Sequence, residues 1–200
     1  DLSGSGIAGI AFSEASKLMP TSINLDNCRH LKGIAFQSNS KAALVPYSVV
    51  GCDSLEAITI TNHTIPNDVL DAPGAGTPHT QVLIENCTLD KLFLNQNFAG
   101  VILSGSTCSM VYASNNPSLQ FIYVYRNSSV NMVSALGCSG LAEIMMTETT
   151  CPMLAVTDCP ILTEIYAAGT GLTTFNPSNL PSLLRLTVSN NYGLSAKVPP

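Results

Sequence analysis

The sequence predicts a repeat solenoid, with short strands stacked into one parallel sheet and joined by return segments that contain little helix. Three observations predict it. An apolar triplet, at the first, fourth and sixth places of a six-residue window, recurs along the whole chain. A small polar residue follows nearly every triplet at a fixed distance. The composition suits a chain that buries much and charges little: 46% of residues are hydrophobic and 10% charged, against roughly 25% charged in average soluble proteins. A disordered chain shows the opposite balance.

In chain order the triplets are Ile7/Ile10/Phe12, Leu31/Ile34/Phe36, Leu55/Ile58/Ile60, His79/Val82/Ile84 and Phe98/Val101/Leu103. They continue as Leu119/Ile122/Val124, Leu141/Ile144/Met146, Leu162/Ile165/Ala167 and Leu183/Leu186/Val188. Nine rungs result. The first four leading positions are evenly spaced and the later ones lie closer together, with steps of roughly 19–24 residues, a period typical of stacked repeats. Only His79 and Phe98 break the aliphatic rule at the leading position.

Three places beyond the sixth-position residue stand Ala15, Asn39, His63, Cys87, Ser106, Asn127, Thr149, Thr170 and Asn191. All but Ala15 can hydrogen-bond. A chain that turns sharply after a short strand leaves backbone groups unpaired, and an inward side chain at the turn can satisfy them rung after rung. Two independent registers therefore agree over the whole length.

On these residues the chain resembles the leucine-rich-repeat superfamily, whose LxxLxLxxNxL pattern and 20–29-residue period they follow. The early rungs are similar to the 24-residue plant-type variant. Lys17-Leu18-Met19-Pro20, Leu44-Val45-Pro46, Ile65-Pro66 and Lys197-Val198-Pro199 stand where that variant carries its proline-containing turn. The resemblance implies a single leucine-rich-repeat solenoid over residues 1–200. Its parallel sheet would lie on one face, with irregular, 3₁₀ or extended segments on the convex side. At roughly 4.8 Å per rung the column would be on the order of 40 Å long.

No polar cap is legible at either end, although isolated repeats normally carry one. A second copy joined after Pro200 would bring its Ile7 as far beyond Leu183 as Leu31 lies beyond Ile7, a normal step. The expectation is a fragment of a longer array or a protomer that stacks head to tail. Asp1-Leu2-Ser3-Gly4 has neither an initiator Met nor a basic leader and reads as a mature or excised end.

Several function classes are disfavoured. A net charge of -5 with only 8 Lys and Arg offers no field for nucleic acid. No apolar run approaches the roughly 18 residues of a membrane span. No Cys/His spacing suggests zinc, and no cofactor is expected. Motifs of nucleophilic or metal-assisted hydrolysis are missing, so no catalytic residue is assigned and an enzyme is not expected. Glu143 and Glu164 stand at equivalent points on adjacent rungs, about 5 Å apart, a spacing a retaining glycosidase uses. A solenoid face gives them no deep, dry pocket, and a solvated acidic pair is the better reading.

The seven cysteines allow two readings. Cys28 and Cys52, like Cys138 and Cys159, lie three places before a leading Leu on adjacent rungs, which makes each pair a candidate disulfide. Alternatively all seven pack as buried thiols. Cys108 and Cys151 share an inward position two rungs apart, too far to bond. Glycosylation sequons occur at Asn62, Asn86 and Asn127. Asn127 falls in the polar ladder and is discounted, whereas Asn62 and Asn86 precede it and should be exposed, Asn62 being the stronger. With the low charge, they point to a secreted or cell-surface glycoprotein.

Outward positions of the early strands are small: Ala8, Gly9, Ala11, Gly33 and Ala35. The later strands present Phe121, Tyr123, Met145, Tyr166 and Arg185, with Glu143 and Glu164 alongside. Exposed aromatics with Arg are the usual make-up of a protein interface. The expected function is a non-enzymatic extracellular scaffold or adhesive protein that associates with protein, including copies of itself end to end in a filament. The alternative is a receptor or inhibitor ectodomain that recognises a peptide or glycan on the aromatic half.

Overall fold

The structure is a computed structural model that describes residues 1–13, 20–71, 75–94, 98–126 and 128–194. Its strands in chain order begin with β1 (Gly9–Ser13), β2 (Ile23–Asn24), β3 (Gly33–Gln37), β4 (Tyr47–Ser48), β5 (Ala57–Thr61) and β6 (Thr64–Ile65). One helical turn, α1 (Asn67–Asp71), precedes β7 (Gln81–Glu85), β8 (Thr88–Phe93), β9 (Gly100–Ser104), β10 (Thr107–Ser114) and β11 (Phe121–Tyr125). There follow β12 (Ser129–Leu136), β13 (Glu143–Met146), β14 (Met153–Thr157), β15 (Glu164–Tyr166), β16 (Thr174–Ser178) and β17 (Arg185–Thr187).

Nine strands form a front sheet in sequence order, β1-β3-β5-β7-β9-β11-β13-β15-β17, each parallel to the next. The chain is thus a parallel β-solenoid of about eight turns. Strand alternation sends one set of side chains inward. Ile34, Ile58, Val82, Val101, Ile122, Ile144 and Ile165 form one column, none more than 3% exposed. Leu31, Leu55, Leu119, Leu141 and Leu162 are fully buried in a second. Each of Leu31, Leu55, Leu141 and Leu162 donates its N–H to the carbonyl three places earlier, so a tight turn fixes the leucine before the strand begins.

The fourth rung departs from expectation at His79. That side chain is exposed, and Thr80 takes the inward position. Thr80 donates its N–H to the Thr77 carbonyl and its hydroxyl to the Leu55 carbonyl (3.1 Å). Strand β7 begins immediately after Thr80, where β3 and β5 begin one place later relative to their leucines. This rung therefore enters its strand early. Phe98, by contrast, is buried as its position requires.

The return side is more regular than irregular or 3₁₀ segments would be. From β6 onward the returns pair in parallel into a second sheet of 6 strands, ordered β16-β14-β12-β10-β8-β6, while β2 pairs only with β4. This accounts for the change of period in the sequence. The first returns wander through short bridges and prolines and need the longer steps. Later ones run straight, as in β10 and β12, and the turns shorten. Pro177 falls in β16, the outer strand of that sheet, where a missing N–H is tolerated.

Each full turn needs two sharp corners, and the backbone makes them with left-handed residues. One corner column runs Asn62, Asn86, Gly105, Arg126, Glu148, Gly169 and Asn190, the other Gly4, Asn27, Gly51, Asn115, Gly137, Asp158 and Asn179, all with φ between 50° and 74°. Asn, Asp and Gly dominate because they adopt this region most cheaply. Where Asn is followed one turn later by Gly, its Oδ1 folds into the space a Cβ would fill. This happens at Asn27 over Gly51, Asn86 over Gly105 and Asn115 over Gly137, with Oδ1 2.5–2.6 Å from that point.

Inside the first corner lies the polar ladder. The His63 N–H donates to Cys87 Sγ (3.4 Å), Cys87 N–H to Ser106 Oγ (3.0 Å) and Ser106 N–H to Ser128 Oγ (3.2 Å). Thr149 then donates its hydroxyl to the Ser128 carbonyl, and Asn191 Oδ1 accepts from the Leu172 N–H. Two assignments shift. Asn39 is exposed and Ser38 is the buried residue, its Oγ accepting from the N–H groups of Ser40 and Ala42. Ser128 is the ladder member of the sixth rung, one place later than the fixed spacing predicts. Ala15 and Asn127 lie outside the described residues.

At the first and last strands the inward residues have a neighbour on one side only. Ile7, Ile10 and Phe12 are more open than their counterparts on inner rungs, as are Leu183 and Val188, and Leu186 is 44% exposed.

Candidate functional site

The outer face of the front sheet brings the expected binding residues together. Strand register sets Phe121, Glu143, Glu164 and Arg185 in one column and Tyr123, Met145 and Tyr166 in the next. All are half-buried except Arg185, which is exposed. The rings of Phe121 and Tyr123 stack with centroids 4.5 Å apart, and Tyr125 continues the row 5.6 Å from Tyr123. Tyr125 and Gly100 are additions to the residues expected from sequence. Tyr125 follows from period-two alternation, two places beyond Tyr123. Gly100 stands opposite Phe121 in register, and a Cβ there would strike the Phe121 ring at 2.3 Å; a glycine opposite an aromatic is the signal.

Polar contacts hold this face in shape. Tyr123 Oη donates to Glu143 Oε2 (2.6 Å), and Arg185 Nε donates to Glu164 Oε2 (2.9 Å). Burial raises the Tyr123 phenol well above its usual range, and the Glu143 carboxylate adds to the rise. Each carboxylate of the pair is therefore engaged by its own neighbour. The face is a row of rings beside an acid-and-arginine column, not an open acid/base pair.

At the other end of the same face, Gly9, Ala11, Gly33, Ala35, Ala57 and Thr59 line a shallow trough of about 450 Å³. A narrower cavity of about 250 Å³ lies behind the first strands, lined by Phe12, Ile23, Phe36, Leu44 and His63 among others. Phe36 packs on Phe12 and on Tyr47 there. The Tyr47 hydroxyl is buried and meets no hydrogen-bond partner among the described residues. His30 and His79 are exposed and His63 is buried. Among the described residues no group of His, Cys, Asp and Glu could hold a metal ion, and no helix is long and apolar enough to cross a membrane.

All seven cysteines are free and buried, so the thiol alternative is the one the structure contains. In the Cys28/Cys52 pair each sulfur donates to a backbone carbonyl of the preceding turn: Cys28 to Leu2 (3.2 Å) and Cys52 to Leu25 (3.0 Å). Cys159 does the same toward Ala135 (3.8 Å). A hydrogen bond from Cys159 lowers the Cys138 thiol below its ordinary value. The pairs belong to a second inward column that includes Ser5 and Asn116, the latter donating to the Leu94 and Phe98 carbonyls. Asn116 escapes a cysteine-based reading because its rung carries none.

Of the sequon asparagines, Asn86 is exposed and Asn62 half-buried, and both are left-handed corner residues. The order of preference between them is thus reversed on exposure. Asn127 lies outside the described residues. Comparison with protein-family models, with curated proteins and with solved structures yields no match for this chain.

Proposed function

We propose that this chain is a leucine-rich-repeat scaffold, secreted or displayed at a cell surface. It would act without catalysis, by protein–protein association that includes head-to-tail contact between copies. The observation that carries the reading is the flat, uncharged strip on the front sheet, where Gly9, Ala11, Gly33, Ala35, Ala57 and Thr59 line a shallow trough. Strands flanked by such small side chains let another protein surface approach the backbone closely. The repeat-class assignment draws on the ladder of buried residues that runs from Ser38 to Thr170, and the compartment on the exposed sequon at Asn86. Light scattering of the purified chain over a hundredfold range of concentration tests the reading. Growth of mass with concentration supports it, and a constant single-chain mass overturns it.

A second reading is favoured by the row Phe121, Tyr123 and Tyr125 with Tyr166 nearby. Tyr123 is held by Glu143, and rings beside the Glu164–Arg185 pair suit recognition of a peptide or a glycan. On that reading, Tyr123→Ala with Tyr166→Ala abolishes ligand capture while leaving the dependence of mass on concentration untouched.

A further inference from the structure

We propose that Cys138 and Cys159 are a dithiol site for hydroperoxides, which oxidise this pair alone among the seven cysteines to a disulfide that ties two adjacent turns. This chemistry is independent of self-association and of ligand capture on the front sheet.

Backbone register brings the two residues together. Strands β12 and β14 pair as far as Leu136 opposite Thr157, and the corners beyond them keep step. Gly137 donates its N–H to the Thr157 carbonyl (2.9 Å), and Gly137 and Asp158 are both left-handed. Cys138 and Cys159 come next. The carbonyl of each accepts from the leucine N–H three places on, Leu141 at 3.1 Å and Leu162 at 3.2 Å. The same local backbone on successive turns sets the two Cα atoms about 4.8 Å apart, within disulfide range. Both side chains are fully buried.

The sulfurs distinguish this pair from Cys28 and Cys52, which occupy the same place before a leucine. There each thiol is taken up by the turn before its own, Cys28 by the Leu2 carbonyl at 3.2 Å and Cys52 by that of Leu25 at 3.0 Å. Cys28 also meets Ser5 Oγ at 3.4 Å, and the hydrogen bond Cys52 makes with Cys28 is to its backbone. In the later pair no carbonyl contact is shorter than 3.4 Å. Cys138 meets Leu136 at 3.7 Å, and Cys159 meets Thr157 at 3.4 Å and Ala135 at 3.8 Å. Here the Cys159 thiol hydrogen-bonds the Cys138 sulfur itself. That bond favours a thiolate on Cys138 against the opposing effect of burial, and it holds the proton on Cys159. The two sulfurs therefore have unequal roles. The remaining thiols lack such a neighbour: Val130 stands between Cys108 and Cys151, and Cys87 belongs to the polar ladder.

The Cys138 thiolate attacks one oxygen of the hydroperoxide and the O–O bond breaks. The departing oxygen takes up the proton that Cys138 released, and Cys138 becomes a sulfenic acid. The Cys159 sulfur then attacks Cys138 Sγ. An S–S bond forms, the S–O bond breaks, and the oxygen leaves as water with the Cys159 proton. The thiols lose two electrons in all and the peroxide gains them, so hydrogen peroxide ends as two waters. Asp158, Ser139 and Pro160 beside the pair are exposed. The sulfurs thus lie one residue beneath the surface, where a local opening admits an oxidant little larger than water.

Fully reduced chains treated with hydrogen peroxide below the unfolding transition should lose two of the seven thiols. Digestion should then yield peptides joined at Cys138 and Cys159 within one chain, and dithiothreitol should restore both thiols. Cys159→Ser should stop at a sulfenic acid on Cys138, captured by dimedone, and Cys138→Ser should give no capture on Cys159 at the same dose. In urea-unfolded chains the preference for this pair should vanish. Mapping of the wild-type chain needs no variant, so the test survives a substitution that disturbs folding. Seven thiols surviving peroxide, a Cys28–Cys52 link formed as fast, capture on Cys159 in place of Cys138, or the same preference in urea overturns the dithiol site.

Discussion

The phenol of Tyr123 donates to Glu143 Oε2 across 2.6 Å, tying the aromatic row of one turn to the acidic column of the next. Tyr123→Phe keeps the ring and its stacking on Phe121 but frees the carboxylate. Because the pair faces solvent, the expected loss is about 1 kcal/mol or less, read as a small fall in the denaturant midpoint at unchanged slope. A loss several times larger would mean that this bond organises the whole face.

Tyr47 should respond in the opposite sense. Its hydroxyl is buried without a partner among the described residues, and an unsatisfied buried group costs roughly 1–3 kcal/mol. Tyr47→Phe is expected to raise Tm by about 2–4 °C for each kcal/mol recovered in a domain of this size. An unchanged or lower Tm refutes this account of the hydroxyl.

Gly105 tests the corner rule. With φ of 58° and Asn86 Oδ1 2.5 Å from its Cβ point, Gly105→Ala should cost about 1–3 kcal/mol. Part of that cost is the contact and part the backbone, and a double-mutant cycle separates them. In an Asn86→Ala background, the same change should cost measurably less in chemical denaturation. Equal costs in both backgrounds would assign the whole effect to φ.

Alkaline pH should weaken the fold through its thiols. Burial raises Cys108 and Cys151 from the ordinary 9.0 to about 11. A raised value means that the folded state favours the neutral thiol. Its contribution is full below the unfolded value near 9 and disappears as pH climbs through about 11. Tm should therefore be flat up to about pH 9 and fall between 9 and 11, and alanine at both cysteines should flatten that fall relative to wild type.

The thiol state itself is countable. Chains prepared under native redox conditions should react with an aromatic disulfide reagent at all seven cysteines once unfolded, and at almost none while folded, because all seven are buried. A shortfall of two in the unfolded chain would reinstate one of the two pairs, Cys28 with Cys52 or Cys138 with Cys159.

The front sheet is legible in the sequence because its signal repeats: apolar residues such as Ile58 and Ile60 recur in phase, and each occurrence supports the others. The return sheet is not, since strands such as β10 carry Cys108, Val111 and Ala113 inward among small polar residues, with no one spacing shared by all turns. His79 misleads because its rung enters the strand early, and a fixed template cannot register that slip. Asn39 misleads in the same way, Ser38 turning inward ahead of it. On the candidate face the row of rings can be read from alternation alone. The hydrogen bonds that tie Tyr123 to Glu143 and Arg185 to Glu164 depend on cross-strand register and emerge only with the fold. Of the corner asparagines only Asn62 and Asn86 stand out in the sequence, as sequons, whereas the left-handed backbone the corners share is a property of geometry that residue type only hints at.

The uncrosslinked thiols have a mechanical corollary. With no covalent tie between turns, a tensile load applied at the two termini is borne by hydrogen bonds and side-chain contact between adjacent coils. The coils can then peel away one after another from an end. Each released coil of about 21 residues adds roughly 70 Å of slack at full extension, so a chain held at constant force should lengthen in a staircase of nearly equal treads.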